Sequence, residues 1–217
     1  MPLLYIKDID DNTKLGLWKI DDKLQLEDAC PPIVCSRLSD ACESRRKEKA
    51  ATYALLREMT QLDNLIISHE PNGRPYIDNT STTNRHAHIE IGISHTKGYV
   101  CIILSTRRPV SIDIEYRSDR VKRITDKFLR EDEQADIETT IKNNDNNCSQ
   151  TILLLYWCAK ETTYKYYSNQ ALTLKKMQVK GNLDYGETGI IECTNTINGE
   201  TLKMRYIQKD QFVMVYK

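Results

Sequence analysis

The sequence predicts an α+β fold from three stretches of strands and two long helices. Runs rich in β-branched and aromatic residues occur at residues 3–20, 89–116 and 171–216. Helical patterns fill residues 40–59 and 149–167 between them. A chain of 217 residues is long enough for one large domain or two small ones.

The first half of the chain begins with a predicted hairpin. Residues 3–20 form two short strands around an Asp-Asp-Asn turn. A helix follows from Asp40, an N-cap with Glu43 three residues later, to about Met59. The segment PNGRP at 71–75 indicates a loop between elements.

Three further strands come next, at 89–94, 99–104 and 110–116, and we expect them to share one sheet. Two charged helices are predicted after them, at 121–128 and 131–142.

The strongest helical pattern runs from Ser149 to Tyr167. After it, the sequence predicts antiparallel strands. They are ALTLKKMQV, GIIEC, the two segments around the Asn198-Gly199 turn, and QFVMVY.

Composition excludes several classes of protein. Lys and Arg number 31 and Asp and Glu 31, so the chain lacks the net positive charge of a sequence-independent nucleic-acid binder. The longest apolar run, Ile152–Ala159, is far shorter than the ~20 residues that cross a bilayer. The first residues do not resemble a secretory signal, and the seven cysteines contain no C-x-x-C pair. We expect a cytoplasmic protein with reduced thiols and no membrane or nucleic-acid partner.

Two carboxylates in a predicted strand form the first candidate site. Asp113 and Glu115 stand two residues apart, so both side chains point to one face of the strand. Such a pair repels itself unless a cation lies between the carboxylates, and oxygen ligands suit Mg²⁺ or Mn²⁺. A solvent-exposed strand edge is the alternative.

A stripe on the helix of 149–167 forms the second candidate site. Trp157, Glu161 and Lys165 follow each other at intervals of four residues, with Lys160 beside them. The large aromatic residue indicates a partly buried face, where charged groups need a partner such as a metal or a phosphate. An exposed Glu–Lys ion pair is the alternative.

Several residues of the first half could contact an anion. Ser94 and His95 end a predicted strand, Arg74 lies in a restrained loop, and Lys47 belongs to a basic run on the first helix. Each is also compatible with ordinary surface exposure. His86 and His88 lack the further ligands of a typical zinc site, and no nucleotide-binding glycine loop or serine-hydrolase motif occurs.

The order of these motifs resembles the 4′-phosphopantetheinyl transferase superfamily, in its longer surfactin-synthetase type. The motifs, which extend over about half of the chain, are Gly73-Arg74-Pro75, Ser94-His95-Thr96, Asp113-Ile114-Glu115, and Trp157 through Lys160-Glu161 to Lys165.

The resemblance implies a fold of two similar α/β halves, 1–108 and 109–217, with coenzyme A in the cleft between them and a metal site in the second half. It implies a holo-[acyl-carrier-protein] synthase type of enzyme. Such an enzyme transfers the 4′-phosphopantetheine arm of coenzyme A to a serine of an apo acyl or peptidyl carrier protein and releases adenosine 3′,5′-bisphosphate. The implied cofactor is Mg²⁺, with Mn²⁺ as an alternative, and we expect a monomer.

The resemblance also implies roles for single residues. The implied metal ligands are Asp113, Glu115 and Glu161. Glu161 would also act as the base for the carrier serine, and Lys165 would contact the pyrophosphate. The implied contacts to coenzyme A are Lys47, Arg74, Ser94, His95, Lys160 and Lys165.

The sequence departs from the superfamily pattern at three places. Thr52 stands where a second basic residue is common, residues 166–172 lack a glycine-rich turn, and Thr162 follows Glu161 where alanine or serine is usual. Carrier proteins are acidic, so the basic residues after Glu115 are docking candidates, with a solvated helix as the alternative; they are Arg117, Arg120, Lys122, Arg123 and Lys127. Two other functions stay open: a non-catalytic protein that binds coenzyme A or a carrier, and a metal-dependent phosphodiesterase.

Overall fold

Helices and antiparallel sheets both contribute to the fold, which confirms the α+β class. The structure is a computed structural model that describes residues 2–78, 89–143, 149–168, 172–180 and 186–217. The contacts between residues divide the chain into two compact units, Met1–Val110 and Ser111–Lys217. The duplication of two similar halves and their boundary at residue 108 stay predictions. No helix in these described ranges has the length and apolar character needed to cross a bilayer.

The first unit contains a four-stranded antiparallel sheet in the order β1-β2-β6-β5 and a separate hairpin of β3 and β4. Its described strands are β1 (Leu3–Asp10), β2 (Thr13–Lys19), β3 (Ile66–His69), β4 (Pro75–Asp78), β5 (Glu90–Thr96) and β6 (Tyr99–Ser105). Its described helices are α1 (Leu26–Ala29), α2 (Pro32–Arg37) and α3 (Glu43–Thr60). The loop predicted at 71–75 forms the turn of the β3–β4 hairpin, with Gly73 at a positive φ of 87°, and β4 begins at Pro75.

Helix α3 covers one face of this sheet through small and aliphatic residues. It packs against β2 and β6, and Gly16 of β2 lies directly beneath it, where an added Cβ would be 2.9 Å from Leu55 Cδ1. The prediction that Asp40 caps this helix is wrong. Ala41 N donates to Leu38 O in a preceding turn, so the helix begins at Glu43 with Cys42 as its N-cap.

The second unit contains a five-stranded antiparallel sheet in the order β7-β11-β10-β9-β8. Its described strands are β7 (Ile112–Tyr116), β8 (Met177–Val179), β9 (Thr188–Asn195), β10 (Thr201–Gln208) and β11 (Phe212–Tyr216). Its described helices are α4 (Thr125–Phe128), α5 (Glu131–Asn143) and α6 (Ser149–Tyr166), with 3-10 turns at Val121–Ile124 and Leu174–Lys176.

The expectation that the strand at 110–116 joins the strands at 89–104 is wrong. The chain passes from the first unit to the second between Val110 and Ser111, and β7 pairs with the fully buried strand β11 at the end of the chain. Helix α6 packs across β7 and β11 and forms the centre of this unit's core with Leu155, Tyr156 and Ala159.

A glycine opposite a buried tyrosine provides a test of this sheet. Gly189 of β9 pairs with Tyr206 of β10, and a Cβ on Gly189 would lie 2.5 Å from Tyr206 Oη. Tyr206 is 1% exposed, so its ring has no room to move away. We expect Gly189→Ala to lower the free energy of unfolding by about 1–3 kcal/mol in urea titrations. Ile190→Ala, at an exposed neighbouring position, should change it by less than about 0.5 kcal/mol. Equal effects from both variants would contradict this packing.

Candidate active site

Strand β7 brings two carboxylates to the face of the sheet that α6 covers. In the register with β11, Asp113 lies opposite Val215 and Glu115 opposite Val213. Thr162 of α6 donates from Oγ1 to the Val215 carbonyl at 3.1 Å, which fixes the helix over this part of the strand pair. The alternation along the strand therefore directs both carboxylates toward the helix.

Helix α6 meets each carboxylate with a side chain of its own. Trp157 Nε1 donates to Glu115 Oε1 at 2.9 Å, and Lys165 Nζ donates to Asp113 Oδ1 at 2.7 Å. The same ammonium group also donates to the carbonyl of Ile112 at 3.2 Å. The strand pair and the helix stripe, predicted separately from the sequence, thus form one cluster.

Glu161 stands on α6 halfway between Trp157 and Lys165. Burial raises the pKa of Glu161 to about 7, and the negative charge of Asp113 adds to the rise. The Lys165 ammonium opposes this shift, and Glu115 adds a smaller increase. A partly buried carboxyl with a pKa near neutrality is suited to take up a proton during a reaction.

The donor chemistry of this cluster fits a hard divalent cation. Asp113, Glu115 and Glu161 offer only carboxylate oxygens, the ligands that Mg²⁺ and Mn²⁺ prefer, and their mutual repulsion would be relieved by a cation. As arranged, the described residues contain no group of three or more His, Cys, Asp or Glu side chains that could hold a metal ion. The ammonium of Lys165 and the indole N–H of Trp157 occupy one oxygen of Asp113 and one of Glu115.

Lys160 lies apart from this cluster. Its side chain is fully buried, and Nζ donates to Glu133 Oε2 at 2.6 Å and to the Phe128 carbonyl at 2.7 Å. The structure therefore gives Lys160 two protein partners away from Asp113 and Glu161, and we do not include it among the coenzyme A contacts proposed below.

Glu133 is a residue that sequence reasoning missed. It lies in the first turn of α5 as the last of three consecutive acidic residues, which resemble a solvated helix terminus, yet its side chain is only 1% exposed. A signal was present in the sequence, because Glu133 shares the i, i+4, i+8 stripe of Ile137 and Ile141. A carboxylate that leads an apolar stripe indicates a buried cation as its partner.

The candidate anion-binding residues of the first unit lie around α3 and β5. Ser94 is buried, whereas His95 is half exposed, with Nδ1 3.5 Å from Glu48 Oε2 on α3. Lys47, the neighbour of Glu48, forms ion pairs with Asp22 at 2.7 Å and Glu43 at 2.5 Å. The structure therefore places Lys47 and His95 on adjoining elements.

Arg74 is held at the other end of β5. Its guanidinium pairs with Glu90, which begins the strand, whereas His95 lies five residues further along. At the rise of an extended strand, this spacing is about 16 Å. The described geometry thus does not bring Arg74 and His95 together. His86 and His88 lie outside the described residues.

Of the predicted docking residues, Arg117 is held by protein groups. Its Nε donates to the Lys209 carbonyl at 2.7 Å, and its terminal nitrogens donate to Gln208 and Thr151. The remaining four, Arg120, Lys122, Arg123 and Lys127, are exposed on the segment between β7 and α5.

A buried thiol adjoins the carboxylate cluster. Cys158 follows Trp157 on α6, is fully buried, and has its Sγ 3.8 Å from the Val213 carbonyl. Burial raises the pKa of this thiol well above its ordinary value, and the charges of Asp113 and Glu115 raise it further. Cys158 is therefore protonated and chemically inert in the folded protein.

Comparison with known proteins identifies a similar family for the second unit. The family model described as the 4′-phosphopantetheinyl transferase superfamily matches residues 109–208. The matched segment includes all members of the carboxylate cluster: Asp113, Glu115, Trp157, Glu161 and Lys165. No curated protein matches the chain.

Proposed function

We propose, from the premise that residues 109–208 are similar to the 4′-phosphopantetheinyl transferase superfamily, that this protein is such a transferase. It moves the phosphopantetheine arm of coenzyme A to a serine of an apo carrier protein. The observation that carries the proposal is the carboxylate cluster itself. The family match includes both the strand and the helix whose side chains meet there.

The reaction replaces the bridging pyrophosphate oxygen on the pantetheine-bearing phosphorus with the oxygen of the carrier serine. The serine oxygen attacks the phosphorus that bears the pantetheine, and the P–O bond to the departing adenosine 3′,5′-bisphosphate breaks. Glu161 accepts the serine proton, directly or through a water. Lys165 exchanges Asp113 for the pyrophosphate and stabilises the negative charge of the leaving group.

Asp113, Glu115 and Glu161 would hold the divalent cation, for which we propose Mg²⁺. When bound, this ion neutralises charge on the pyrophosphate oxygens and aligns them for in-line attack. Trp157 contributes by fixing one oxygen of Glu115 through its indole N–H. This hydrogen bond restricts rotation of the Glu115 carboxylate, so the position of its second oxygen depends on the orientation of the indole.

The first unit would contribute contacts to the phosphates of coenzyme A. We include Lys47, Ser94, His95 and Arg74, as the resemblance implies. Lys47 would then leave Asp22 and Glu43 for a phosphate, an exchange of one anionic partner for another. The surfactin-synthetase type and an acyl or peptidyl carrier protein as the acceptor belong to the same proposal.

The decisive experiment follows an apo acyl carrier protein by intact mass after incubation with the protein, coenzyme A and Mg²⁺. We expect a gain equal to one phosphopantetheine group. A carrier whose acceptor serine is replaced by alanine should gain nothing, and EDTA should stop the reaction of the natural carrier. Consumption of coenzyme A without a change in carrier mass would favour the phosphodiesterase. Bound but unchanged coenzyme A with several carriers would favour the non-catalytic binding protein.

Carrier docking by the exposed basic segment gives a further prediction. Charge reversal by Arg123→Glu should raise KM for an acidic carrier several-fold and leave kcat little changed, because rim charges act mainly on association. Added salt should reduce the difference between variant and wild type. Lys203→Glu, which makes the same charge change at an exposed position of β10, is the matched control. Equal effects from the two variants would contradict docking at this segment.

A further inference from the structure

We infer that the buried ion pair of Lys160 and Glu133 positions the metal-binding carboxylate Glu115 through Phe128 and Trp157. The inference rests on the proposed function, because the reaction gives the orientation of Glu115 its purpose. Neither member of the pair contacts the reacting groups, so both are positioning residues rather than catalytic ones.

The first step is the fixation of Glu133. Its Oε2 accepts hydrogen bonds from the Arg130 backbone N–H at 2.9 Å and from Lys160 Nζ at 2.6 Å. Its Oε1 accepts the Val179 backbone N–H at 2.8 Å. The carboxylate therefore joins the start of α5 to β8, and every one of these contacts is inside the protein.

The second step passes from the ion pair to Phe128. Lys160 Nζ donates to the Phe128 carbonyl at 2.7 Å, at the last residue of α4. Phe128 is completely buried. The ammonium thus holds a backbone group that α4, a helix of four residues, leaves without an intrahelical partner.

The third step reaches the carboxylate cluster. The Phe128 ring packs edge-on against Trp157, with ring centroids 5.2 Å apart and an interplanar angle of 84°. The indole of Trp157 can donate to Glu115 only along the direction of its N–H bond, so the tilt of the ring sets the position of Glu115 Oε1. Movement of Phe128 would change that tilt.

Energetics favour a positioning role over a purely stabilising one. Removing two charges from water costs about as much as their attraction returns, so a buried ion pair adds little net stability compared with apolar side chains. Its directional hydrogen bonds, however, fix one arrangement of α4, α5 and α6. Apolar side chains at Lys160 and Glu133 could fill the same space without holding the Phe128 carbonyl.

The test separates position from stability by using Trp157 as a reporter. The second tryptophan, Trp18, lies in the first unit and is replaced by phenylalanine in all proteins compared. Two variants interrupt the chain of contacts: Lys160→Met with Glu133→Gln, which removes both charges together, and Phe128→Leu, which retains the ion pair. Leu202→Ala, in the same core, supplies a comparable loss of Tm without touching the chain of contacts.

We expect both interrupting variants to shift the emission of Trp157 and to increase its quenching by acrylamide. We also expect kcat for carrier modification to fall about 10- to 100-fold with KM for coenzyme A unchanged, as for residues that orient metal ligands. The Leu202→Ala protein should show neither change at a temperature where it is folded.

Emission spectra and kcat values equal to those of Leu202→Ala would overturn the inference. If the double variant does not fold, the emission spectrum and kcat of Glu133→Gln, which removes only the carboxylate of the ion pair, decide it against Leu202→Ala. If the protein with natural Lys160 and Glu133 modifies no carrier, the proposed function fails. The emission spectra then still decide whether the ion pair fixes Trp157.

Discussion

Glu161→Gln should reduce the rate of phosphopantetheine transfer by about 100-fold or more while leaving the protein at least as stable. Glutamine keeps the shape of the side chain but neither accepts the serine proton nor provides an anionic ligand. The natural carboxyl is partly buried beside Asp113 and Glu115, which disfavours its charge in the folded protein. Removing that charge therefore costs no stability, in contrast to most substitutions in a protein interior.

The measurements are initial rates from intact carrier mass and Tm from thermal unfolding, each with Mg²⁺ present and absent. Glu138→Gln, on the exposed side of α5, is the matched control and should change neither quantity. A Glu161→Gln protein that transfers at the natural rate would exclude Glu161 as base and ligand. A large fall in Tm would indicate that Glu161 is a structural residue.

Lys160→Met should lower the free energy of unfolding by about 3–5 kcal/mol, the cost of leaving a buried partner charge uncompensated. The Glu133 carboxylate would keep its two backbone donors but lose its only close ammonium group among the described residues. Urea unfolding followed by far-UV circular dichroism measures the loss.

The companion variant adds Glu133→Gln to Lys160→Met. We expect the double variant to recover most of the lost stability, because no unpaired charge then remains in the core. Lys142→Met, an identical substitution at an exposed position of α5, should cost less than about 0.5 kcal/mol. If the loss of unfolding free energy in the double variant equals the sum of the losses from Lys160→Met and Glu133→Gln measured singly, Lys160 and Glu133 do not interact.

Local periodicity in the sequence predicted much of the candidate site. The spacing of two in a strand directed Asp113 and Glu115 to one face, and the spacing of four in a helix aligned Trp157, Glu161 and Lys165. These relations depend only on the geometry of a single element. The strand–helix contacts then follow because α6 packs on β7, although more than 40 residues of sequence separate the interacting partners.

Long-range pairing was harder to predict. A strand such as β7 has an apolar face that suits either sheet, and its sequence does not state that its partner is β11, about a hundred residues later. The same difficulty concealed the partner of Lys160. The resemblance implied that Lys160, one position from the stripe of Trp157, Glu161 and Lys165, contacts coenzyme A, and in the structure its ammonium pairs with Glu133.

Arginine placement shows why charge runs mislead. Arg117 begins a basic segment that also contains the exposed Arg120. Only the turn between β10 and β11 and the first residues of α6 provide the carbonyl, amide and hydroxyl acceptors that hold it. Whether a basic residue is held by the protein or stays exposed therefore depends on hydrogen-bond acceptors from distant segments of the chain.

The reactivity of Cys158 offers a way to measure, in the native state, how often α6 separates from the sheet. Its thiol lies beneath the helix that carries Glu161, and burial keeps the pKa of the thiol high. A thiol reagent can therefore modify it only when the helix separates from β11. The rate of that modification, followed at Cys158 by peptide mass, would report how often α6 separates from the sheet. A lower rate in the presence of coenzyme A would show that binding of coenzyme A holds α6 against the sheet.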